Sequence, residues 1–234
     1  TVGMFSNLTQ DHLDFHKTWE NYVAAKQKLF EQSDISVINA DDDCAAHMMG
    51  AAKAEVVTYG IQSVADITAK DIEMTPACTK YIARVYDNEY EITVNIPGTF
   101  SVYNSLCALS AAHALGIDKH YIIEGLRSIK GVDGRFQSLP TNGDYHIILD
   151  YAHTPDSLLI ARETIKEFAK GRIVTVFGCG GNRDKGKRPQ MAKIAADYSD
   201  FTIVTSDNPS FEVPSDIIDD IIAGLPEDYN DYIR

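Results

Sequence analysis

The chain has 234 residues, of which 34 are acidic and 21 are basic, so its formal net charge is −13. Such a surface repels phosphate backbones and anionic lipids, which argues against a nucleic-acid-binding or membrane-docking protein. With 44% hydrophobic and 24% charged residues, the composition is that of a folded globular protein, either one large domain or two small ones.

The four cysteines are scattered, without the C-x-x-C pairs that zinc ribbons use, and predict reduced thiols in a cytoplasmic protein. No apolar run is long enough for a transmembrane span, and the first residues lack a signal-peptide pattern. The sequence begins at Thr1 without a starting Met, as expected for a piece of a longer protein.

The first half of the chain predicts alternating helices and strands. Apolar spacing predicts an amphipathic helix over residues 18–30, capped by Thr18. Alternation on both sides of an Asp-Asn turn predicts an antiparallel hairpin over residues 79–97. The other expected elements are strands at residues 35–40 and 53–59 and helices at residues 101–115 and 119–129.

Residues 131–134 contain two glycines and are typical of a hinge, so a domain boundary is expected between residues 132 and 133. Beyond it, three strand–helix units predict a parallel α/β sheet of Rossmann type, with a buried first strand. Its strands are expected at residues 146–149, 172–177 and 201–205, and its helices at residues 155–169, 189–198 and 215–223.

Residues 7–16 concentrate two histidines and two carboxylates. Both side-chain types bind divalent cations, but their spacing matches neither a zinc protease nor a calcium-binding EF-hand. The segment is therefore either part of a metal site or a polar loop before the first helix. Lys26, near the middle of that helix, would by itself be expected in solvent.

Residues 178–189 lie between a predicted strand and a predicted helix and contain four glycines. Glycines in such a turn let backbone N–H groups approach an anion. The spacing G-x-x-x-x-G-K is present, but Arg188 follows it in place of the Ser or Thr that holds magnesium in a Walker A loop. The sequence thus predicts an anion- or carboxylate-binding loop, with a plain glycine-rich turn as the alternative.

Two more polar segments follow predicted strands. Residues 150–156 offer an aspartate for ribose hydroxyls and a histidine for a phosphate, or form a helix cap at Thr154 or Asp156. Residues 206–210 form either part of the same site or an Asx-Pro turn. Because parallel strands end at one edge of a sheet, three polar strand ends favour a shared site.

These segments resemble the Mur ligase family. The resemblance rests on N-L-T-Q-D-H-L-D-F-H at residues 7–16, A-A-K at residues 24–26, F-G-C-G-G-N-R-D-K-G-K-R-P at residues 177–189 and D-N-P at residues 207–209. The last two segments, with residues 150–156, are similar to the branch that adds the third amino acid of the peptidoglycan stem peptide. The resemblance spans nearly the whole chain.

The resemblance implies an α/β fold with two parts. Residues 1–132 are similar to the C-terminal part of a P-loop-type central ATPase domain, and residues 133–234 to a truncated Rossmann-like C-terminal domain with a parallel sheet. The family's phosphate-binding loop, with a glutamate that helps to hold magnesium, would lie upstream of Thr1. The chain alone is therefore expected to be inactive and to bind ATP weakly.

The resemblance also implies the cofactors Mg²⁺ and ATP and a set of site residues. His12 and a carbamylated Lys26 are similar to the catalytic, magnesium-binding residues of the family. Asn104 resembles a residue that contacts adenine, whereas Ser101 stands where some members have a second asparagine. The other implied ATP-binding residues are Arg135, Asp150 and His153, and those of the amino-acid pocket are Arg183, Asp207, Asn208 and Ser210.

The implied reaction joins a free amino acid to UDP-MurNAc-L-Ala-D-Glu through an acyl phosphate, in the cytoplasm and by a monomer. Members that use meso-diaminopimelate typically have arginine at position 210, where it pairs with the distal carboxylate of the substrate. Ser210 offers no charge and cannot replace a bidentate arginine contact. L-Lysine is therefore expected over meso-diaminopimelate, with L-ornithine also open.

Other protein classes remain as alternatives. Folylpolyglutamate synthases and the other Mur ligases share the chemistry, but the D-N-P turn at residues 207–209 argues against them. A P-loop kinase or simple NTPase would need Ser or Thr at position 188. A non-catalytic Rossmann module would leave the pairing of His12 with Lys26 unexplained.

Overall fold

A computed structural model describes residues 1–9 and 16–234, so His12 lies outside the described residues. The chain divides into two compact units, residues 1–131 and 132–234. Every helix in residues 1–9 and 16–234 is too short or too polar to span a lipid bilayer.

A six-stranded mixed sheet forms the centre of the first unit. The strands are β1 Val2–Phe5, β2 Ile35–Asn39, β3 Glu55–Gly60, β4 Ile67–Met74, β5 Thr79–Val85 and β6 Asn88–Val94. They lie side by side in chain order, with β1 to β4 parallel and β4 to β6 antiparallel. Every second side chain of β5 is buried, as expected for a strand with one face on the core. The predicted hairpin and the two predicted strands are confirmed.

Helices cover this sheet in the first unit. They are α1 Trp19–Glu31, α2 Ala45–Ala51, α3 Thr99–Ala114 and α4 Lys119–Ser128. The hydroxyl of Thr18 accepts a hydrogen bond from the backbone N of Asn21 at 3.2 Å, so Thr18 caps α1 as predicted. Helix α3 carries Asn104, and its Val102, Leu106 and Leu109 are fully buried in the core cluster of the sheet.

The second unit contains a three-stranded parallel sheet and a two-stranded antiparallel ribbon. The sheet consists of β9 Val174–Phe177, β10 Phe201–Val204 and β11 Tyr232–Ile233, in the order β11-β10-β9. The ribbon pairs β7 Gln137–Leu139 with β8 Ile147–Leu149. The helices are α5 Pro155–Lys166, α6 Lys187–Tyr198 and α7 Pro214–Ile222. The predicted α/β fold with a parallel sheet is confirmed.

The strand predicted at residues 146–149 lies in a different place from the one expected. The sequence predicts a buried first strand of the parallel sheet, but β8 pairs with β7, and Ile147 and Leu149 are 43% and 49% exposed. A short apolar run does not specify its partner, and residues 137–139 are close enough in sequence to pair with it through a short loop. The prediction of three strand ends on one edge therefore holds in the parallel sheet only for β9 and β10.

Candidate functional site

In the first unit, Lys26 lines an open cleft of about 530 Å³ between α1 and the segment that follows β1. Hydrogen bonds hold the end of β1 and this segment, residues 6–9, against the sheet and the turn that follows β2. They run from Asn39 Nδ2 to Ser6 O at 2.7 Å, from Leu8 N to Asp42 Oδ2 at 3.1 Å and from Tyr59 OH to Phe5 O at 3.0 Å. One wall of the cleft is thus the regular helix α1, and the other is an irregular segment fixed by hydrogen bonds.

Lys26 is exposed, and its Nζ lies 5.3 Å from the centre of the Tyr22 ring, which in turn stacks on His16. A free ammonium repels Mg²⁺, whereas a carbamate offers the oxygen ligands that Mg²⁺ prefers. The described residues contain no group of three His, Cys, Asp or Glu that could hold a metal ion. A magnesium site at this cleft therefore fits the chain only with a carbamate on Lys26 and with ligands from outside the described residues, such as His12.

The acidic turn after β2 has a structural use that the sequence analysis missed. Asp41 accepts hydrogen bonds from the backbone N of Ile61, Gln62 and Ser63 at 2.6, 3.0 and 2.6 Å and from Tyr103 OH at 2.9 Å. Burial raises the pKa of the Asp41 carboxyl, but these hydrogen bonds outweigh that effect and hold the pKa well below its usual range. Because Tyr103 precedes Asn104, Asp41 fixes the helix that carries a candidate ATP-binding residue.

Asn104 lies beside a small apolar groove of about 130 Å³ in the first unit. The groove is lined mainly by apolar side chains, among them Val94, Ile96, Phe100, Leu126 and Ile129. Such walls suit a flat aromatic ring, and the Asn104 amide can both donate and accept a hydrogen bond at the edge of that ring. Ser101 is buried and donates to Pro97 O at 3.2 Å, so its hydroxyl binds the backbone just before α3.

In the second unit, two candidate ATP-binding residues gather around Tyr151. The guanidinium of Arg135 lies 4.6 Å from the centre of the Tyr151 ring, within the range of a favourable cation–π contact. The ring of His153 meets the Tyr151 ring edge-on at 5.1 Å, and its Nδ1 lies 3.0 Å from Tyr151 O. The sequence analysis missed Tyr151, although an aromatic residue between an aspartate and a histidine was an available signal.

Asp150 holds the backbone of this cluster. Its Oδ2 accepts a hydrogen bond from Phe136 N at 2.7 Å, and its Oδ1 accepts one from Ala152 N at 2.8 Å. These bonds fix the residue that follows Arg135 and the turn that precedes His153. Thr154 forms a capping box with Ser157 at the start of α5, as in the helix-cap interpretation of this segment.

The glycine loop between β9 and α6 packs directly against the turn that follows β10. The backbone N of Gly181 donates to Asn208 O at 2.9 Å. A Cβ atom at position 181 would lie 1.8 Å from Pro209 O, and one at position 178 would lie 2.4 Å from Thr205 O. Only glycine permits this approach. The loop that carries Arg183 therefore lies against the turn that carries the other candidate amino-acid-binding residues.

The side chains implied for the amino-acid pocket are all exposed on these two segments: Arg183, Asp207, Asn208 and Ser210. Ser210 has a left-handed backbone conformation, with φ of 52°, and its N donates to Asn208 Oδ1 at 3.1 Å. The turn thus presents a hydroxyl at position 210 and no positive charge.

Arg188, the residue that breaks the Walker A pattern, is fully buried and paired with Glu212 and Asp220. Glu212 also accepts a hydrogen bond from the backbone N of Asn182 at 2.6 Å. The bonds from Arg188 and from Asn182 lower the pKa of Glu212 to about 2. The glycine loop thus holds a carboxylate of the protein itself, and binding of a ligand anion by this loop stays a prediction. Lys187 connects this loop to the Tyr151 cluster, because its Nζ donates to His153 O at 2.8 Å.

Family models match both parts of the chain. The Mur ligase middle domain matches residues 1–112, and the glutamate ligase domain of the Mur ligases matches residues 134–233. The chain belongs to the Mur ligase family. The resemblance found in the sequence is thereby confirmed.

Several relatives carry the name UDP-N-acetylmuramoyl-L-alanyl-D-glutamate--2,6-diaminopimelate ligase. The protein from Listeria monocytogenes is 46% identical over 96% of this chain and 48% of its own length. The protein from Caldanaerobacter subterraneus is 43% identical over 99% of this chain and 48% of its own length. A solved structure with the same name is 33% identical, with a TM-score of 0.71, over 99% of this chain and 49% of that one. The chain thus spans about half the length of the curated relatives it matches.

Proposed function

We propose that the protein containing this chain is an ATP-dependent ligase that joins a free amino acid to UDP-MurNAc-L-Ala-D-Glu during peptidoglycan synthesis. The contact between the glycine loop with Arg183 and the turn at residues 207–210 carries this proposal, because it gathers charged and polar groups suited to an amino acid. The names of the relatives support the same substrate. The reaction is proposed for a cytoplasmic monomer, without nucleic-acid or membrane partners.

The proposed chemistry activates a carboxylate with ATP. A D-Glu carboxylate takes the γ-phosphoryl group, which gives an acyl phosphate and ADP. The amine of the incoming amino acid then attacks the acyl carbon, phosphate leaves, and the amine loses a proton as the amide forms. Because one anion attacks another in the first step, the site needs local positive charge in a protein region of net charge −13.

The candidate residues divide this work. Asn104 and its apolar groove are proposed to hold adenine, Asp150 to accept a ribose hydroxyl, and Arg135 and His153 to bind phosphate. Mg²⁺, held by His12 and a carbamylated Lys26, would neutralise phosphate charge when bound. Arg183 and the turn at residues 207–210 are proposed to bind the incoming amino acid.

Lys26→Ala tests this assignment in the complete enzyme. The variant should lose ligation, because alanine cannot carry a carbamate, and short-chain carboxylic acids should restore part of the activity. Lys28→Ala is the matched control, because Lys28 is exposed on the same helix but does not line the cleft. It should change the rate of phosphate release by less than about twofold. A fully active Lys26→Ala enzyme would contradict the proposal.

We propose L-lysine as the incoming amino acid. Ser210 cannot pair with a distal carboxylate as arginine does, whereas the ammonium of lysine suits a turn that carries Asp207. The names of the relatives point to 2,6-diaminopimelate. It is the second candidate here, because position 210 lacks the arginine that would pair with its distal carboxylate.

Amino-acid-dependent phosphate release by the complete enzyme separates these candidates. At equal concentrations, L-lysine should give the faster rate. Ser210→Arg should shift the preference toward meso-diaminopimelate by about tenfold, the effect of roughly one charge-assisted hydrogen bond. A wild-type enzyme that is faster with meso-diaminopimelate would show that Ser210 does not set the preference.

A further inference from the structure

Arg188 has no exposed surface, although it carries a charge and lies beside a glycine loop at the surface. Its Nη1 donates to Glu212 Oε2 at 3.0 Å and to Asp220 Oδ2 at 2.7 Å, and its Nη2 donates to Glu212 Oε1 at 2.9 Å. A buried charge is costly unless it is paired and hydrogen-bonded with good geometry. The two-pronged contact with Glu212 meets that requirement at both Nη atoms, while Nε has no hydrogen-bond partner among the described residues.

Glu212 connects this cation to the candidate amino-acid pocket. It lies two residues after Ser210, and its N donates to Pro209 O at 2.9 Å, which closes the turn. Its carboxylate also accepts the hydrogen bond from Asn182 N, on the residue before Arg183. The side chain of Asn182 completes the connection, because its Oδ1 accepts a hydrogen bond from Phe211 N at 2.9 Å. The loop and the turn are thus held together from both sides.

Two residues of this connection have backbone conformations that need support. Asn182 and Ser210 have φ of 54° and 52°, in the left-handed region that non-glycine residues rarely adopt. Such conformations persist where surrounding contacts fix them. The hydrogen bonds of Glu212 and Asn182 supply these contacts, next to both Arg183 and Ser210.

We propose that the Arg188–Glu212 pair positions the glycine loop and the turn at residues 207–210 for the incoming amino acid, and so sets the affinity of the pocket. Both are positioning residues, because the two Nη atoms of Arg188 and the carboxylate of Glu212 bind other groups of the protein. The inference rests on the proposed function, since it concerns the amino-acid site of that reaction.

Asp220 provides the matched control for this inference. It binds the same guanidinium as Glu212 but belongs to α7, outside both the loop and the turn. Glu212→Gln and Asp220→Asn each replace a carboxylate partner of Arg188 with a near-isosteric amide. Only the first change alters the side-chain contacts with the glycine loop, which are the hydrogen bond from Asn182 N and the ion pair with Lys185 Nζ at 3.1 Å.

Steady-state kinetics of the complete enzyme test the inference. Glu212→Gln should raise the KM for the amino acid by about tenfold, while the KM values for ATP and UDP-MurNAc-L-Ala-D-Glu stay within about twofold of wild type. Asp220→Asn should leave all three KM values within about twofold. Circular dichroism should show that both variants are folded. Should Glu212→Gln not fold, Arg188→Lys is the second variant, because lysine keeps the charge and loses the two-pronged contact.

The outcomes separate this inference from the proposed function. A wild-type enzyme without amino-acid-dependent phosphate release would overturn the proposed function and the inference with it. If the wild type is active, the proposed function stands. An unchanged KM for the amino acid in Glu212→Gln would then overturn the inference alone. The same holds for Arg188→Lys where that variant is used. An equal rise in Asp220→Asn would also overturn it, because the effect would then come from general destabilisation around Arg188.

Discussion

Asp41 and Asp150 occupy the same sequence setting in two different regions of the molecule. Each follows a short strand of mainly apolar residues, β2 in the first unit and β8 in the second. Strand β2 lies inside a six-stranded sheet, and Val37 and Ile38 have no exposed surface. Strand β8 lies in a two-stranded ribbon and remains largely exposed. A similar local pattern thus leads to two different environments.

In both units, the carboxylate that follows the strand accepts hydrogen bonds from backbone N–H groups and so fixes a neighbouring segment. Asp41 accepts three backbone N–H bonds and one tyrosine hydroxyl, whereas Asp150 accepts two backbone N–H bonds. Each holds a segment that carries another candidate residue, Asn104 in the first unit and Arg135 in the second. The two carboxylates differ in the number of bonds and in how deeply their strands are buried, and therefore in their expected contribution to stability.

Asp41→Ala tests the stronger side of this comparison. The change leaves three N–H groups and one hydroxyl without their acceptor, so it should lower the free energy of unfolding of the first unit by about 3 kcal/mol. Asp43→Ala is the control, because Asp43 is exposed in the same turn, and it should cost less than about 0.5 kcal/mol. Urea unfolding followed by the fluorescence of the single tryptophan, Trp19, measures both. Equal losses would contradict the anchoring role of Asp41.

Low pH should lower the stability of both units, by less than the loss expected for Asp41→Ala. The folded state lowers the pKa of Asp41, so Asp41 stabilises the protein above its ordinary pKa near 3.8, and that stability is lost as the pH falls through the lower folded value. Glu212 acts in the same direction in the second unit, between 4.5 and about 2. The wild type should therefore lose stability from about pH 4.5 downward.

Asp41→Asn should reduce the acid dependence seen by Trp19 fluorescence. The acid dependence of the second unit, measured by hydrogen exchange of its backbone amides, should persist, because Glu212 is unchanged. An unchanged Trp19 profile in Asp41→Asn would show that other carboxyls control the acid response of the first unit.

The parts of the fold that were predicted from the sequence have local signals. The helix at α1 has a threonine cap and apolar spacing, and the β5–β6 hairpin has alternating residues around an Asp-Asn turn. Strand β4 was missed because it contains charged residues and a register shift between Lys70 and Glu73, with Asp71 at φ of 52°. The partner of β8 was predicted wrongly because pairing depends on residues outside the strand.

In the candidate site, too, the features with local sequence signals were predicted and those that depend on distant residues were not. The glycine loop and the polar turn after β10 were visible as short motifs, and glycine alone permits their close contact. The burial of Arg188 was not visible, because its partners Glu212 and Asp220 lie 24 and 32 residues further along the chain. A charged residue in a polar motif gives no sign of burial until its distant partners are known.

Asp150→Ala tests the weaker side of the comparison and has the smallest expected effect on stability. It removes two hydrogen bonds at the end of a largely exposed strand, where water can replace the lost acceptor, so it should cost about 1 kcal/mol. In the complete enzyme it should also raise the KM for ATP by about fivefold, because the ribose loses its proposed acceptor and the segment with Arg135 loses its support. The KM for the amino acid should stay within about twofold. Asp144→Ala, in the exposed loop between β7 and β8, is the control and should change neither quantity measurably. A stability loss as large as that of Asp41→Ala would remove the distinction between the two aspartates, since the number of hydrogen bonds and the burial of the strand would then not determine the contribution of a carboxylate.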